Sequence, residues 1–265
     1  MLKEAIIAEQ KIEHDYPCCW RCHKPVIFRA TEQWFLKIED LIPFMIKEAE
    51  KIKFVPEWAK KAFIDWLSNL KDNSITRQRF FGTPVPIWQC SCGKIFVVGS
   101  LKELEKLAEI PENLHRPWID AVKIKCSCGS YARRIEDVLD VWLDSGTTSW
   151  NCLYFPKKKS FMKLFPADFI LEATEQIKLW FSLLLICSTI AFRKTAFKAA
   201  YLHGMILDWK GRKMSKSLGN IVSPDEVIQK YGADVLRYYM CSNAAGQNMN
   251  YIAVSYTHLT LPTKA

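Results

Sequence analysis

Two groups of residues in this sequence have the types and spacing to do chemistry. The first is Asp208-Trp209-Lys210-Gly211-Arg212-Lys213-Met214-Ser215-Lys216-Ser217-Leu218-Gly219-Asn220, which sets Arg212, Lys213 and Lys216 between two glycines with serines interleaved. Flexible glycines, mobile ammonium groups and small hydroxyl donors suit a loop that closes over a polyphosphate and neutralises charge developing on it. The alternative is a solvated basic turn, the usual fate of a charge run. The second group is Cys90-Ser91-Cys92-Gly93 and Cys126-Ser127-Cys128-Gly129, two copies of one tetrapeptide. Four thiolates meet the tetrahedral demand of Zn²⁺, and the glycines allow the backbone to turn tightly around a metal. With all four ligands from protein, such a zinc site is closed and structural. Cys19 and Cys22 add half a site at C-x-x-C spacing, with Cys18 a spare thiol; reduced cysteines in a small core are the alternative there.

These groups need elements to position them. In chain order, residues 1–13 place Leu2, Ala5, Ile6, Ile7 and Ile12 at helical spacing, so a short helix is expected before Tyr16-Pro17. Residues 25–35 mix β-branched and aromatic side chains with polar ones, suggesting a strand or two. A helix is expected to begin at Pro56-Glu57 and end by Asp72-Asn73-Ser74. Arg77 to Trp88 alternates basic, aromatic and proline residues, as an extended segment facing nucleotide or RNA would. Ser100 to Glu109 reads as helix between the two cysteine pairs, and Val138 to Gly146 as an apolar strand ending in a polar turn. Pro166 to Glu172 reads as a strand, about 174–192 as a helix, and Phe197 to His203 as a further strand leading into the lysine loop. Ser223-Pro224 caps one more helix, with serine at the N-cap and proline first inside. Strand, helix, strand is the unit of a parallel α/β sheet, in which ligands gather at the carboxyl ends of strands; Glu172 and His203 fall at such ends.

Composition limits the class. With 49% hydrophobic residues in 265 the chain is globular, and a formal charge of +9 favours an anionic partner. No secretory leader is visible after Met1-Leu2-Lys3-Glu4, so the ten cysteines point to a reducing, cytoplasmic location rather than disulfides. The apolar run Leu179 to Phe192 is shorter than the roughly 20 residues of a membrane span, and reads as a buried helix with no membrane partner.

Several segments together resemble the isoleucyl-tRNA synthetase family of class I aminoacyl-tRNA synthetases. They are Cys19-Trp20-Arg21-Cys22, Ala30 to Phe35, Arg77 to Trp88, Val138 to Gly146, His203 to Asp208, Lys213-Met214-Ser215-Lys216-Ser217, and Gly232 to Arg237. The resemblance implies an α/β fold: the second half of a Rossmann-like parallel-sheet catalytic domain with inserted zinc-binding modules. It divides the chain into the end of an editing insertion with a half zinc site (1–24), the start of the second catalytic half (25–89), a zinc module (90–129), Rossmann-like strand-helix units with the lysine loop (130–241) and a tail (242–265), unstructured from Ser255. The family's His-Ile-Gly-His signature, most of its editing insertion and its anticodon-binding region are absent, so an internal fragment is expected, inactive by itself.

The resemblance further implies that the whole enzyme joins isoleucine to tRNA(Ile) through isoleucyl-adenylate, as a monomer, with ATP and magnesium as the substrate complex. Lys216 and Lys213 would be catalytic and, with His203, Gly204 and Glu175, bind ATP. Glu172, Gln176, Trp180 and Trp142 would bind the adenylate, the two tryptophans walling the isoleucine side chain. Ala173 stands where the family has glycine, and Glu175 where it has aspartate. The other readings are a valyl- or leucyl-type synthetase and a non-catalytic zinc-ribbon module that binds RNA.

Overall fold

The structure, a computed structural model, describes residues 7–19, 22–215, 219–243 and 248–250, in two compact units, 1–33 and 34–265. Among the described residues of the first unit, regular pairing is confined to one antiparallel bridge between Cys18 and Pro25, with the Cys19 N–H donating to Lys24 O at 2.8 Å. The helix expected over 1–13 does not form across its described part, 7–13. Ile7 and Ile12 are exposed. An isolated helix shorter than about 12–15 residues is marginal without tertiary packing. Residues 25–35 likewise show only that bridge and the first residue of β1.

In the second unit the elements run β1 (Phe35–Leu36), α1 (Ile42–Glu50), β2 (Lys53–Val55), α2 (Trp58–Ser68), β3 (Asn73–Ser74), β4 (Thr76–Arg77), β5 (Ile87–Gln89), β6 (Ile95–Val97), α3 (Leu101–Glu105), β7 (Lys123–Lys125), β8 (Tyr131–Arg134) and β9 (Val138–Leu139). There follow α4 (Val141–Ser145), α5 (Thr148–Asn151), β10 (Ile170–Ala173), α6 (Trp180–Phe192), β11 (Ala199–His203), β12 (Ile206–Leu207), α7 (Pro224–Tyr231), α8 (Ala233–Asn243) and β13 (Met249–Asn250).

The centre is a parallel sheet in the order β10-β11-β2, with Ile170 opposite Ala200 and Ala200 opposite Phe54. β10, α6 and β11 make one strand-helix-strand unit of the Rossmann type. The stretch Thr174–Phe192 is long and apolar enough, by length and composition, to cross a membrane. It is nevertheless core: every residue from Phe181 to Thr189 is buried, because α4 and α1 pack on it and its side chains share one core with Phe54, Ile170, Ala200 and Leu202 of the sheet. Helices α1 and α2 turn Met45 and Ala49, and Ala59, Phe63 and Leu67, toward this core at the four-residue spacing of one helix face. At roughly 1.5–3 kcal/mol for each large apolar side chain buried, this cluster is the main source of the fold's stability.

A second, antiparallel sheet, β6-β5-β8-β7, carries its own small core of Trp88, Val98, Leu104, Ile119, Val122, Ile124 and Ala132. Trp88 lies in it with its indole N–H donating to Val122 O at 2.9 Å. α7 and α8 pack on each other around Val227 and Tyr239.

In the second unit, three further elements differ from the sequence reading. Ser100 caps α3 as expected, but the α-helix ends at Glu105. The run from Val138 is a strand for two residues only, after which Asp140 accepts the Trp142 N–H at 2.7 Å and starts α4. The stretch 174–192 is a 3₁₀ turn, Thr174–Ile177, followed by a separate α-helix, because Leu179 breaks the helical backbone at φ −117, ψ −103. The tail from Ser255 lies outside the described residues.

Candidate active site and metal centre

β10 and β11 end side by side. Their register sets Glu172 opposite Leu202 and Ala173 opposite His203. This brings Glu172, His203 and Gly204 to the carboxyl edge of the parallel sheet, where a parallel α/β fold receives ligands. Glu172 and Glu175 are exposed there. The His203 Nδ1 lies 2.8 Å from Gly204 O, so Nδ1 carries the proton and Nε2 is left for a ligand. Gln176 and Trp180 do not share one helix as expected. They stay adjacent because the Gln176 Oε1 accepts the Trp180 N–H at 3.2 Å, capping the first turn of α6.

The two tryptophans proposed as pocket walls come from α4 and α6, and Ser145 joins them. The Trp180 indole N–H donates to Ser145 O at 3.0 Å, while Ser145 Oγ donates to Trp142 O at 3.1 Å. Both indoles are half-buried and pack against the main core. The close approach of α4 to α6 depends on Gly146: a Cβ there would sit 2.9 Å from Leu183 O and from Cys187 Sγ. Burial pushes the Cys187 thiol up to about 12, which leaves it an inert packing group.

Beyond His203 the chain forms the hairpin that presents the lysine loop. Lys213 bridges back to Leu207, and the Asp208 N–H donates to Arg212 O at 2.8 Å. Asp208 is the hub. Its carboxylate is 4% exposed and accepts from the Lys210 and Arg212 N–H groups at 2.9 and 2.8 Å, the Arg212 Nε at 2.9 Å and the Asn220 Nδ2 at 3.0 Å. The Asn220 amide, then the Arg212 donors, hold Asp208 well below the usual carboxylate range, outweighing burial. Asn220 also donates to Lys213 O at 3.2 Å and accepts the Ser215 N–H at 2.9 Å, tying the two stems of the loop together. Lys213 is exposed on this frame, and Lys216 lies outside the described residues. The sequence reading missed Asp208 and Asn220 as anchors. Their signal was the pair of short side chains capable of Asx turns at the two ends of a glycine-flanked loop.

The two cysteine tetrapeptides form the turns of hairpins β5–β6 and β7–β8, and they are conformational copies. The Cys90 N–H donates to Lys94 O and the Cys126 N–H to Ser130 O, each at 2.9 Å, while Gly93 and Gly129 take φ of +89° and +88°. All four Sγ atoms lie within 4.8 Å of one another, with Cys90–Cys128 at 3.5 Å and Cys92–Cys126 at 3.7 Å. Four sulfurs at 2.3 Å from a tetrahedral zinc would be about 3.8 Å apart, so the donor set fits a closed four-thiolate site. The Ser130 N–H, then the neighbouring thiols, lower Cys128 to about 6. For Cys92 the Lys94 N–H acts downward, but the other three thiols outweigh it and hold the group at about 11. Such mutual opposition among thiols is relieved by a cation at their centre. Cys19 and Cys22 join no cluster of three or more metal-ligating side chains among the described residues.

A parallel α/β sheet with acid, imidazole and amide groups at its carboxyl edge, a basic loop on an anchored hairpin and a four-cysteine ribbon defines a domain of Rossmann type. Residues 4–252 match the family model described as tRNA synthetases class I (I, L, M and V), and the chain belongs to that family. It is 47% identical over 252 residues to the isoleucine--tRNA ligase of Archaeoglobus fulgidus and 48% identical over 249 to that of Methanoregula boonei. The matches cover 94% and 92% of this chain but 25% and 23% of those proteins, so the chain spans about a quarter of the curated relatives' length. Among solved structures it resembles an Agrobacterium radiobacter K84 LeuRS in ternary complex with tRNA and LeuAMS, at 29% identity and TM-score 0.55, covering 78% of this chain and 30% of that one. Mycobacterium tuberculosis methionyl-tRNA synthetase bound by methionyl-adenylate has the same fold, with TM-score 0.62 at 19% identity, covering 92% and 40%.

Proposed function

We propose that this chain is the loop-bearing half of the catalytic domain of an isoleucine--tRNA ligase, and that the whole enzyme activates isoleucine with ATP and passes it to tRNA(Ile). The observation that carries the reading is the pairing of the β10 and β11 carboxyl ends, with the anchored lysine hairpin following β11 directly in the chain, in a chain whose curated relatives are isoleucine--tRNA ligases. A free-standing RNA-binding ribbon would leave that parallel sheet and hairpin without a role, and the named relatives do not favour a valine or leucine enzyme.

The isoleucine carboxylate attacks the α-phosphate of ATP and pyrophosphate leaves, so the work of the protein is placement and charge stabilisation. Glu172 takes the substrate ammonium, and Gln176 completes its polar grip. His203, Gly204 and Glu175 face the nucleotide. Lys213 and Lys216 neutralise the departing phosphates, whose magnesium arrives with ATP. Trp142 and Trp180 wall the isoleucine side chain. One methylene is worth about 1–3 kcal/mol, and the handiest illustration of that limit is this same isoleucine-against-valine choice, so the pocket recognises isoleucine without strongly rejecting valine.

The metal of the four-cysteine site is zinc, which when bound supplies structural cohesion to the ribbon; Cys19 and Cys22 are half of another such site. The domain limits are 1–24, 25–89, 90–129, 130–241 and 242–265, and the enzyme is a cytoplasmic monomer, where reduced thiols persist. The test is isoleucine-dependent pyrophosphate exchange. An enzyme carrying this chain within the full length of its relatives should exchange with isoleucine, weakly with valine and not with leucine, while the 265-residue chain alone should not. Equal exchange with leucine would overturn the reading.

A further inference from the structure

Residues 76–84 fold as an arch around β9. β4 pairs with one edge of it, Thr76 opposite Leu139 and Arg77 opposite Val138. From the other side the Leu139 N–H donates to Thr83 O at 2.7 Å, and Pro84 bridges Val138. The arch turns at Gly82, where φ is +152° and a Cβ would lie 3.0 Å from the Val138 side chain. Two side chains reach from it to α4. The Arg77 guanidinium pairs with Asp140 Oδ2, while Asp140 Oδ1 accepts the Trp142 N–H, and Thr83 Oγ1 donates to Asp144 Oδ2 at 2.8 Å. The Asp140 carboxylate is only 9% exposed, so its pairing is not a surface ornament.

The arch is itself held from the ribbon. The Arg116 guanidinium lies 5.0 Å over the Phe80 ring and donates to Arg79 O at 3.2 Å, and Arg134 donates to Val85 O at 3.2 Å and Asp137 O at 3.0 Å. Asp120 bridges the two arginines; burial raises its pKa, but their hydrogen bonds bring it below the ordinary value, so it stays charged. A helix of five residues has no stability of its own, so α4 takes the orientation its end contacts impose. Those contacts are the arch at its start and side, and Trp180 and Gly146 at its end.

We infer that Arg77 and Thr83 are positioning residues of the amino-acid pocket, which through Asp140 and Asp144 set the orientation of α4 and hence the place of the Trp142 indole. The inference rests on the reading of Trp142 as a pocket wall. Arg77 would then act on isoleucine binding without touching isoleucine, and would leave ATP untouched.

The test uses the full-length enzyme carrying this chain and pyrophosphate exchange with isoleucine and ATP varied separately. Arg77→Met should raise KM for isoleucine about tenfold and leave KM for ATP within about twofold. Adding Asp140→Asn should restore most of the loss, because asparagine still caps the Trp142 N–H without leaving an unpaired carboxylate. Thr83→Val, nearly isosteric, should cost about threefold in the same constant and carries the test if Arg77→Met fails to fold. In a Trp142→Ala background, which itself raises KM for isoleucine, Arg77→Met should add less than about twofold, since both act on one wall. An unchanged KM for isoleucine in Arg77→Met and Thr83→Val, with Trp142→Ala raising it, overturns this inference alone. An equal rise in both KM values also overturns it, because Arg77 would then merely hold the fold. No effect of Trp142→Ala overturns the pocket reading and this inference with it.

Discussion

Two pairs of glycines turn the backbone left-handed here, and they serve loops of opposite character. Gly93 and Gly129, at φ +89° and +88°, close the cysteine turns; Gly211 and Gly219, at +73° and +63°, lie in the lysine loop. In the ribbon the turns aim four side chains at one another in a set that could hold a metal ion, so the charge that balances them would sit at their own centre. In the loop, Asp208 and Asn220 fix the stems but Lys213 stands exposed, and in the proposed function its charge is met by an anion from outside the chain. The same local device yields a closed joint or an open hand, depending on where the compensating charge comes from.

The comparison breaks most readily at the metal. Stripping it with a strong chelator, or Cys126→Ser, should unfold the ribbon, since structural zinc in small modules is worth on the order of 10 kcal/mol of apparent binding free energy. Elemental analysis and protease sensitivity between Trp88 and Arg134 are the readouts; a metal-free ribbon that resists protease would make the cysteine turns self-sufficient. Next in size, Lys216→Ala in the full-length enzyme should slow activation on the order of 100-fold while isoleucine affinity is kept, as for loss of one group that acts at the transition state. Equal loss in affinity and rate would turn the open hand into a simple binding clamp.

Asp208→Asn keeps the size of the hub but weakens its grip on Arg212, and should raise KM for ATP about tenfold, measured by the same exchange. The hub also predicts an acid limit. Its carboxylate is depressed in the folded protein, so its stabilisation is complete above the ordinary value of about 3.9 and is lost as pH falls toward the folded one. Amide shifts of Lys210, Arg212 and Ser215 should therefore be flat from neutrality to about pH 4 and move only below it. Movement near pH 6 would show that another group controls the loop. The smallest effects belong to the glycines themselves. A Cβ on Gly93 or Gly219 meets nothing within 4 Å, so alanine at either costs only the left-handed backbone, about 1 kcal/mol. Gly93→Ala should weaken metal retention and leave ATP alone, and Gly219→Ala the reverse.

What the sequence revealed, and what it hid, divides along the range of the forces involved. The cysteine turns were legible because ligand spacing is local, and β10, α6 and β11 because one strand-helix-strand unit is continuous in sequence. α1 was missed although Pro43 marks its first turn, and β2 because Lys53-Phe54-Val55 shows a strand only once β11 lies beside it. The misreading of Val138 to Gly146 has a definite cause: Val-Leu-Asp-Val-Trp-Leu satisfies strand composition, and only the capping carboxylate of Asp140 turns the chain into α4. At the site, Glu172 and His203 could be found from their strand ends, whereas Asp208, Asn220, Arg77 and Thr83 act through partners 2 to 63 residues away, a relation the linear pattern carries only at its shortest range.

The burial of α6 has a consequence for synthesis. Its apolar surface runs all the way round, so no face of it can safely meet water or a bilayer while it waits for partners. Yet α1, α2, β2 and β10 all precede it in the chain, and only β11 follows. At about 5–20 residues per second, the stretch from Phe192 to His203 leaves the ribosome roughly 0.5–2 s after the helix is made. The helix thus emerges after all but one of these partners, and the order of the elements shortens the interval in which a chaperone or a translocation channel could claim it.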